Sequence, residues 1–179
     1  MSTSLVALAR ASIEHGLAQG RPLAVEPAAY EPELRRRGAS FVTLERGGAL
    51  RGCIGSLEAQ RPVAVDVAEN AFAAAFRDAR FAPLGAEELA GLRVRVTLLS
   101  PLERLAVASE AELLAALRPG IDGLVLRVGT ERATFLPAVW NDLPEPRAFL
   151  RALLRKAELP ADSWPRDAEV WRYTTRDVA

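Results

Sequence analysis

The chain is poor in the residues that most often carry chemistry. Its 179 residues hold one cysteine, one histidine and one lysine. A single Cys excludes an internal disulfide framework. One Cys and one His exclude a Cys/His zinc cluster and a Cys-ligated iron–sulfur cluster. Neither G-x-G-x-x-G nor G-x-x-x-x-G-K-[ST] occurs, so no nucleotide phosphate cradle is expected. Long apolar runs are also missing. The start, MSTSLVALARASIEHG, is interrupted by Arg10, Glu14 and His15, where a secretory leader needs about 7 to 15 apolar residues in a row. No stretch approaches the roughly 18 residues of a membrane span. The expectation is a cytoplasmic protein with no membrane association. Neither sign of charge is in excess: 23 basic residues balance 23 acidic ones. That removes the electrostatic argument for a nucleic acid or an anionic membrane as partner.

What is present is apolar and small. Half of the residues are hydrophobic but only 6% are aromatic, so a core must be built from Ala, Leu and Val. The length suits one domain or two tightly fused small ones. Lys156 is the one lysine, and the other basic residues are arginines. Arg suits phosphate and carboxylate recognition. Here it is scattered rather than massed, which fits a GC-rich coding bias better than a binding segment.

Leu5, Leu8, Ala9, Ser12, Ile13 and Leu17 recur at helical spacing, with Ser2 or Thr3 as the cap and Gly16 or Gly20 as the stop. Residues 20–38 carry Gly20, Pro22, Pro27, Pro32 and Gly38 and are expected to form an arm ending near Arg35, Arg36 and Arg37. SFVTLERGGALRGCIGSLE is a hairpin, with strands over 41–45 and 50–57 about a Gly47-Gly48 turn. Pro62 opens a helix that runs to about Arg77. Glu87–Leu89 suit one helical turn, and LRVRVTLLS alternates as a half-buried strand. A helix over 110–118, strands at LVLRV and RATFLP, a helix over 147–157 and a closing strand at EVWRYTT follow. Strands broken by helices, with hairpins present, argue α+β.

One stretch carries candidate chemistry. In Arg51-Gly52-Cys53-Ile54-Gly55, two glycines bracket the only thiol. Gly inside a strand marks a bulge or a close approach to the backbone. Free N–H groups there can hold an oxyanion. A cation such as Arg51 favours the thiolate, which is the nucleophile. The opposing reading makes Cys53 a small core hydrophobe, with no base near it, since the sole His lies on the first helix. A second polar cluster, Glu69, Asn70, Arg77, Asp78 and Arg80, reads as a capped helix end with a loop salt bridge, or as a loop whose arginines take an anion. Trp140, Trp164 and Trp171 read as core or lid packing, with Pro137 turning Trp140 back over its strand.

LRGCIGSLE, NAFAAAFRDARFAPL, VRVTLLSPLE and DGLVLRVGTERATFLPAVW occur in this order. Together they resemble the AMMECR domain family, whose bacterial and archaeal members are called AmmeMemoRadiSam system protein A. The resemblance runs from about residue 4 to residue 174, with 51–55 and 133–140 as its markers. Ala79 departs from it, where many relatives have Pro. The resemblance implies an α+β fold with a barrel-like, mostly antiparallel sheet from two β3-α2-β units and helices packed around it. It implies one domain over 1–179, or two closely packed subdomains. As partners it implies a MEMO-like protein related to extradiol dioxygenases and a radical SAM protein. The family's activity is not established. Its signature as a functional site carries over onto Arg51, Gly52, Cys53, Ile54 and Gly55. Two functional readings stay open. In one, a Cys53-dependent enzyme or enzyme component acts on a small molecule or protein. In the other, a binding or adaptor module uses Arg51–Gly55 with Arg77, Asp78 and Arg80 toward an anionic ligand. No residue is assigned to a metal, a metal held mainly by carboxylates stays open, and no cofactor is specified.

Overall fold

The computed structural model describes residues 4–178. The chain divides into two compact units: one runs to Pro101 and takes in the chain from Arg176 onward, and the other is Leu102–Thr175.

The first unit opens with helix α1, Leu5–Gln19. Ser4 caps it by accepting from the Ala7 N–H, and Gly20 ends it. The expected caps Ser2 and Thr3 lie outside the described residues. The arm then contains two helical turns, a 3-10 turn at Pro27–Ala29 and the short helix α2 at Pro32–Arg35, each started by proline. Proline suits a helix start because the first N–H needs no partner there. Strand β1 begins earlier than the pattern suggests, at Arg37, and runs to Arg46. Ala49–Gly55 is β2, Arg61–Pro62 is β3 and Val63–Phe76 is helix α3. A 3-10 turn at Ala86–Gly91 leads into β4, Leu92–Leu99. The sheet order is β2-β1-β4-β9, where β9 is Thr175–Val178, and β3 pairs with the start of β1. Leu8 and Ile13 of α1, the alanines of α3, and Val42, Leu44, Val94 and Val96 of the sheet share one core. Alanine on α3 lets that helix lie close to the sheet.

The second unit contains β5 (Glu103–Leu105), helix α4 (Glu110–Ala116), β6 (Gly123–Val128), β7 (Glu131–Phe135), helix α5 (Pro146–Lys156) and β8 (Glu169–Tyr173). Its sheet order is β5-β8-β6-β7, with antiparallel pairs. Phe149, Leu150, Leu153 and Leu154 of α5 are buried. Trp140 stacks on Phe149 at 3.8 Å, and its indole N–H donates to the Asp122 carbonyl at 2.7 Å. That is the turned-back indole expected after Pro137.

The α+β class and the antiparallel pairing are as expected. The sheet itself differs from the barrel-like one that the resemblance implies: the strands form two separate hydrogen-bonded sheets and no closed barrel. The closing segment is also two strands rather than one, since β8 belongs to one sheet and β9 to the other. No helix among the described residues is long and apolar enough to cross a membrane.

Candidate functional site

The signature stretch lies on β2, at the end of its sheet. Its register holds the main surprise. A two-residue Gly47-Gly48 turn pairs Arg46 with Ala49 and Glu45 with Leu50. Continuing without interruption would set Arg51 opposite Leu44 and Cys53 opposite Val42. Instead Leu44 faces Gly52, and Arg51 is the extra residue of a β-bulge. A one-residue slip turns every later side chain to the other face. Gly52 and Ile54 therefore face the core, while Cys53 stands opposite Thr43 on the other face.

Both signature glycines answer to packing. A Cβ on Gly52 would lie 2.2 Å from the Ala74 carbonyl oxygen of α3, and one on Gly55 would lie 2.2 Å from the Phe41 ring. Gly52 therefore admits only glycine without a backbone shift, whereas a side chain at Gly55 would have to displace the Phe41 ring.

Cys53 is half-buried, and its Sγ lies 3.4 Å from the Thr43 hydroxyl. Its backbone is committed. The N–H donates to Asp78 Oδ2 at 2.9 Å, and the carbonyl accepts from Arg80 Nη2 at 3.3 Å. The Cys53 N–H is therefore not a spare oxyanion donor. Asp78 is buried and takes a two-point hydrogen bond from the Arg80 guanidinium at 2.9 and 2.7 Å. Arg80 and the two backbone N–H groups hold the Asp78 carboxyl well below the usual carboxylate range, against the opposing effect of burial. In turn Asp78 raises the Arg80 guanidinium.

Arg51 is also pinned. Its Nε and Nη2 donate to Glu88 at 2.7 and 2.9 Å, and Nη2 reaches the Ala82 carbonyl at 3.0 Å. Glu88 is thereby pushed down to about 2, chiefly by the Arg51 hydrogen bond and then by the Gly85 N–H. The Arg51 and Arg80 guanidinium carbons lie 5.8 and 5.5 Å from the centre of the Phe81 ring, within cation–π range. Arg77 is apart from this cluster. It is exposed and lies over the Phe72 ring at 4.9 Å.

The structure thus brings Arg51, Cys53, Asp78 and Arg80 together, uses Gly52, Ile54 and Gly55 for packing, and leaves Arg77 on the surface. Glu69 and Asn70 fall in a different network. Asp66, fully buried, accepts from the Ser40 N–H and hydroxyl, from Ser56, from Asn70 and from Arg61. Glu69 lies 3.9 Å from Arg61. That network ties α3 to β1 and to the end of β2. His15 does not reach Cys53, and its Nε2 is buried without a hydrogen-bond partner. Sequence reasoning missed Glu88, Thr43 and Asp66. Glu88 pairs across 37 positions of sequence, which no local spacing reveals. Thr43 is hidden by the bulge. Asp66 alone left a signal, as an acid placed in the first turn of a mostly apolar helix. Among the described residues no group of three or more His, Cys, Asp or Glu is placed to hold a metal ion.

Comparison with known proteins places these features in a family. The AMMECR1 family model matches residues 6–178. A protein of Methanothermobacter thermautotrophicus is 37% identical over 172 residues, covering 95% of this chain and 89% of that protein. One from Aeropyrum pernix is 39% identical over 176 residues, covering 95% of this chain and 74% of its own. Among solved structures, the uncharacterized protein PH0010 from Pyrococcus horikoshii superposes with a TM-score of 0.87 at 32% identity, over 98% of this chain and 92% of that one. By sequence and fold alike, this chain belongs to the AMMECR1 family.

Proposed function

We propose that Cys53 is the working group of this protein, as the thiol of an enzyme or enzyme component acting on a small molecule or a protein. The partners are those the family resemblance implies, a MEMO-like protein and a radical SAM protein. One observation carries this reading. The bulge at Arg51 turns Cys53 away from the core, where the unbroken register would have buried it. On that face the half-buried thiol stands beside the Thr43 hydroxyl, at 3.4 Å, rather than among the core alanines. The Cys53 backbone is held at this position by the Arg80 guanidinium on its carbonyl and the Asp78 carboxylate on its N–H. Acyl or one-carbon transfer suits such a lone nucleophile. The test is alkylation of the native chain at neutral pH, read by intact mass. With one thiol, the signal has one source. We expect one adduct on folded protein, and Cys53→Ser to abolish activity in the pathway while the fold survives. Modification only upon unfolding, or full activity of the Ser variant, removes the proposal.

A second reading has its own observation. Arg77 is exposed and makes no ion pair among the described residues, and Arg80 is 56% exposed. An adaptor for an anionic ligand or an acidic segment would use these two, because the Arg51 fork is occupied by Glu88. Under that reading Arg77→Glu abolishes capture of the MEMO-like and radical SAM proteins, and Cys53→Ala does not.

A further inference from the structure

The segment Arg77–Gly85, between α3 and the 3-10 turn at Ala86–Gly91, meets the free edge of β2 in an unusual way. Edge strands expose N–H and C=O groups that invite pairing and are commonly covered. Here the cover is a pair of side chains. The Asp78 carboxylate accepts from the Cys53 N–H and the Arg80 guanidinium donates to the Cys53 carbonyl. Together they supply one acceptor and one donor, as a neighbouring strand would. The Arg51 guanidinium ties down the same segment by donating to the Ala82 carbonyl. The segment's apolar anchorage is confined to its far end, where Leu84 is buried and its N–H donates to the Ala75 carbonyl. Between Asp78 and Leu84, Ala79, Arg80, Ala82 and Pro83 are exposed, and Phe81 is half-buried beneath the two guanidiniums. A segment with so little apolar burial has little local stability of its own.

We propose that Arg77–Gly85 is a strap, latched to β2 by Asp78 and Arg80, whose local release uncovers the Cys53 edge without unfolding the unit. Asp78 and Arg80 are then positioning residues that fix the Cys53 backbone while the strap is closed. The proposal deepens the reading of Cys53 as the working thiol, since it names what governs access to that site. The latch is nevertheless measured without any thiol chemistry.

The experiment is amide hydrogen exchange on the whole chain, read residue by residue in increasing low concentrations of urea. Three amides report the latch: Cys53 and Arg80, which donate to Asp78, and Leu84, which donates to Ala75. Val42 and Leu44 in the centre of the sheet serve as controls. In the wild type we expect the three to exchange together, with little dependence on urea, far faster than the controls. In Asp78→Asn we expect all three to exchange faster by a common factor of about ten or more, with the controls unchanged. Arg80→Gln keeps the Asp78 acceptor and provides the same reading should the Asn variant fail to fold. Exchange of the three only through urea-dependent global unfolding overturns the strap. So does a change in Asp78→Asn confined to the Cys53 and Arg80 amides, which lose their acceptor, with Leu84 unmoved, or no common change of the three in Arg80→Gln. Since Cys53 keeps its thiol in both variants, failure of the strap and failure of the thiol reading remain separate results.

Discussion

At the scale of single residues, the site is a set of charges that hold one another in place. Two carboxylates, Asp78 and Glu88, each receive a two-point bond from one arginine. Such forks fix geometry better than a single contact does. They also set an acid limit. Glu88 is pushed down to about 2 in the fold by its Arg51 bond, and Asp78 is likewise depressed by Arg80. A carboxyl whose folded value lies below its unfolded value stabilises the fold fully above the ordinary range near about pH 4. That contribution is lost as pH falls through the folded value. We therefore expect the urea midpoint to drop between about pH 4 and about pH 2, and Glu88→Gln to flatten part of that drop. An identical acid slope in the variant would show that the Arg51–Glu88 pair contributes nothing. The structure of the pair also shifts roles. Arg51 reads in sequence as a thiol activator or anion binder, yet its fork is spent on Glu88 and the Ala82 carbonyl.

At the scale of elements, the decisive contact is between α3 and β2. Gly52 lies beneath the Ala74 carbonyl with no room for a methyl group. The contact is backbone against backbone, so neither partner can swing aside. Gly52→Ala is expected to cost about 1–3 kcal/mol, read as a lower urea midpoint at unchanged slope. Stability equal to the wild type would mean that the helix can retreat from the strand. The same contact explains the bulge. In an unbroken register Arg51 and Cys53 would face α3 and the core alanines. Burying a guanidinium there without a partner is costly. The slip at Arg51 puts Gly52 under the helix and brings the guanidinium to Glu88, where both side chains are 15% exposed. Helices, hairpin and turn were legible from period and punctuation, since those signals are local. The glycines signalled a bulge, but its place at Arg51 and the face it gives Cys53 were not legible, because its advantage lies in a helix that follows later in the chain. Cys53 was consequently left between a core reading and a reactive one.

For the molecule as a whole, two cores organise the chain. One is built from alanine, valine and leucine around α1, α3 and the first sheet, and the other carries Trp140 and Phe149 with the leucines of α5. Phe149 is fully buried and stacked against the indole. Phe149→Ala removes that stack and is expected to cost about 3–5 kcal/mol. The measurement is amide exchange, in which protection should fall first in β6 and β8. A uniform loss across the whole chain, α1 and α3 included, would mean that the two cores unfold as one. The low aromatic content pointed to small side chains in the core, and the first unit follows it. The second unit buries Trp140, Phe149 and Tyr173, where the first buries Phe72, and composition averaged over the chain cannot reveal that difference.

The sequence by itself determined the α+β class, the longer helices and strands, the hairpin turn and the neighbourhood of the site. These follow from hydrophobic period, glycine, proline and capping residues, all of which act over a few positions. Tertiary structure decided the rest: the division of the strands into two sheets, the pairing of Arg51 with Glu88 and of Asp78 with the Cys53 backbone, and the face on which the thiol stands. Each of these depends on groups far apart in the chain meeting at a few ångströms. A side chain's direction at a bulge is set by which face can bury it, and that is known only once α3 has packed on β2.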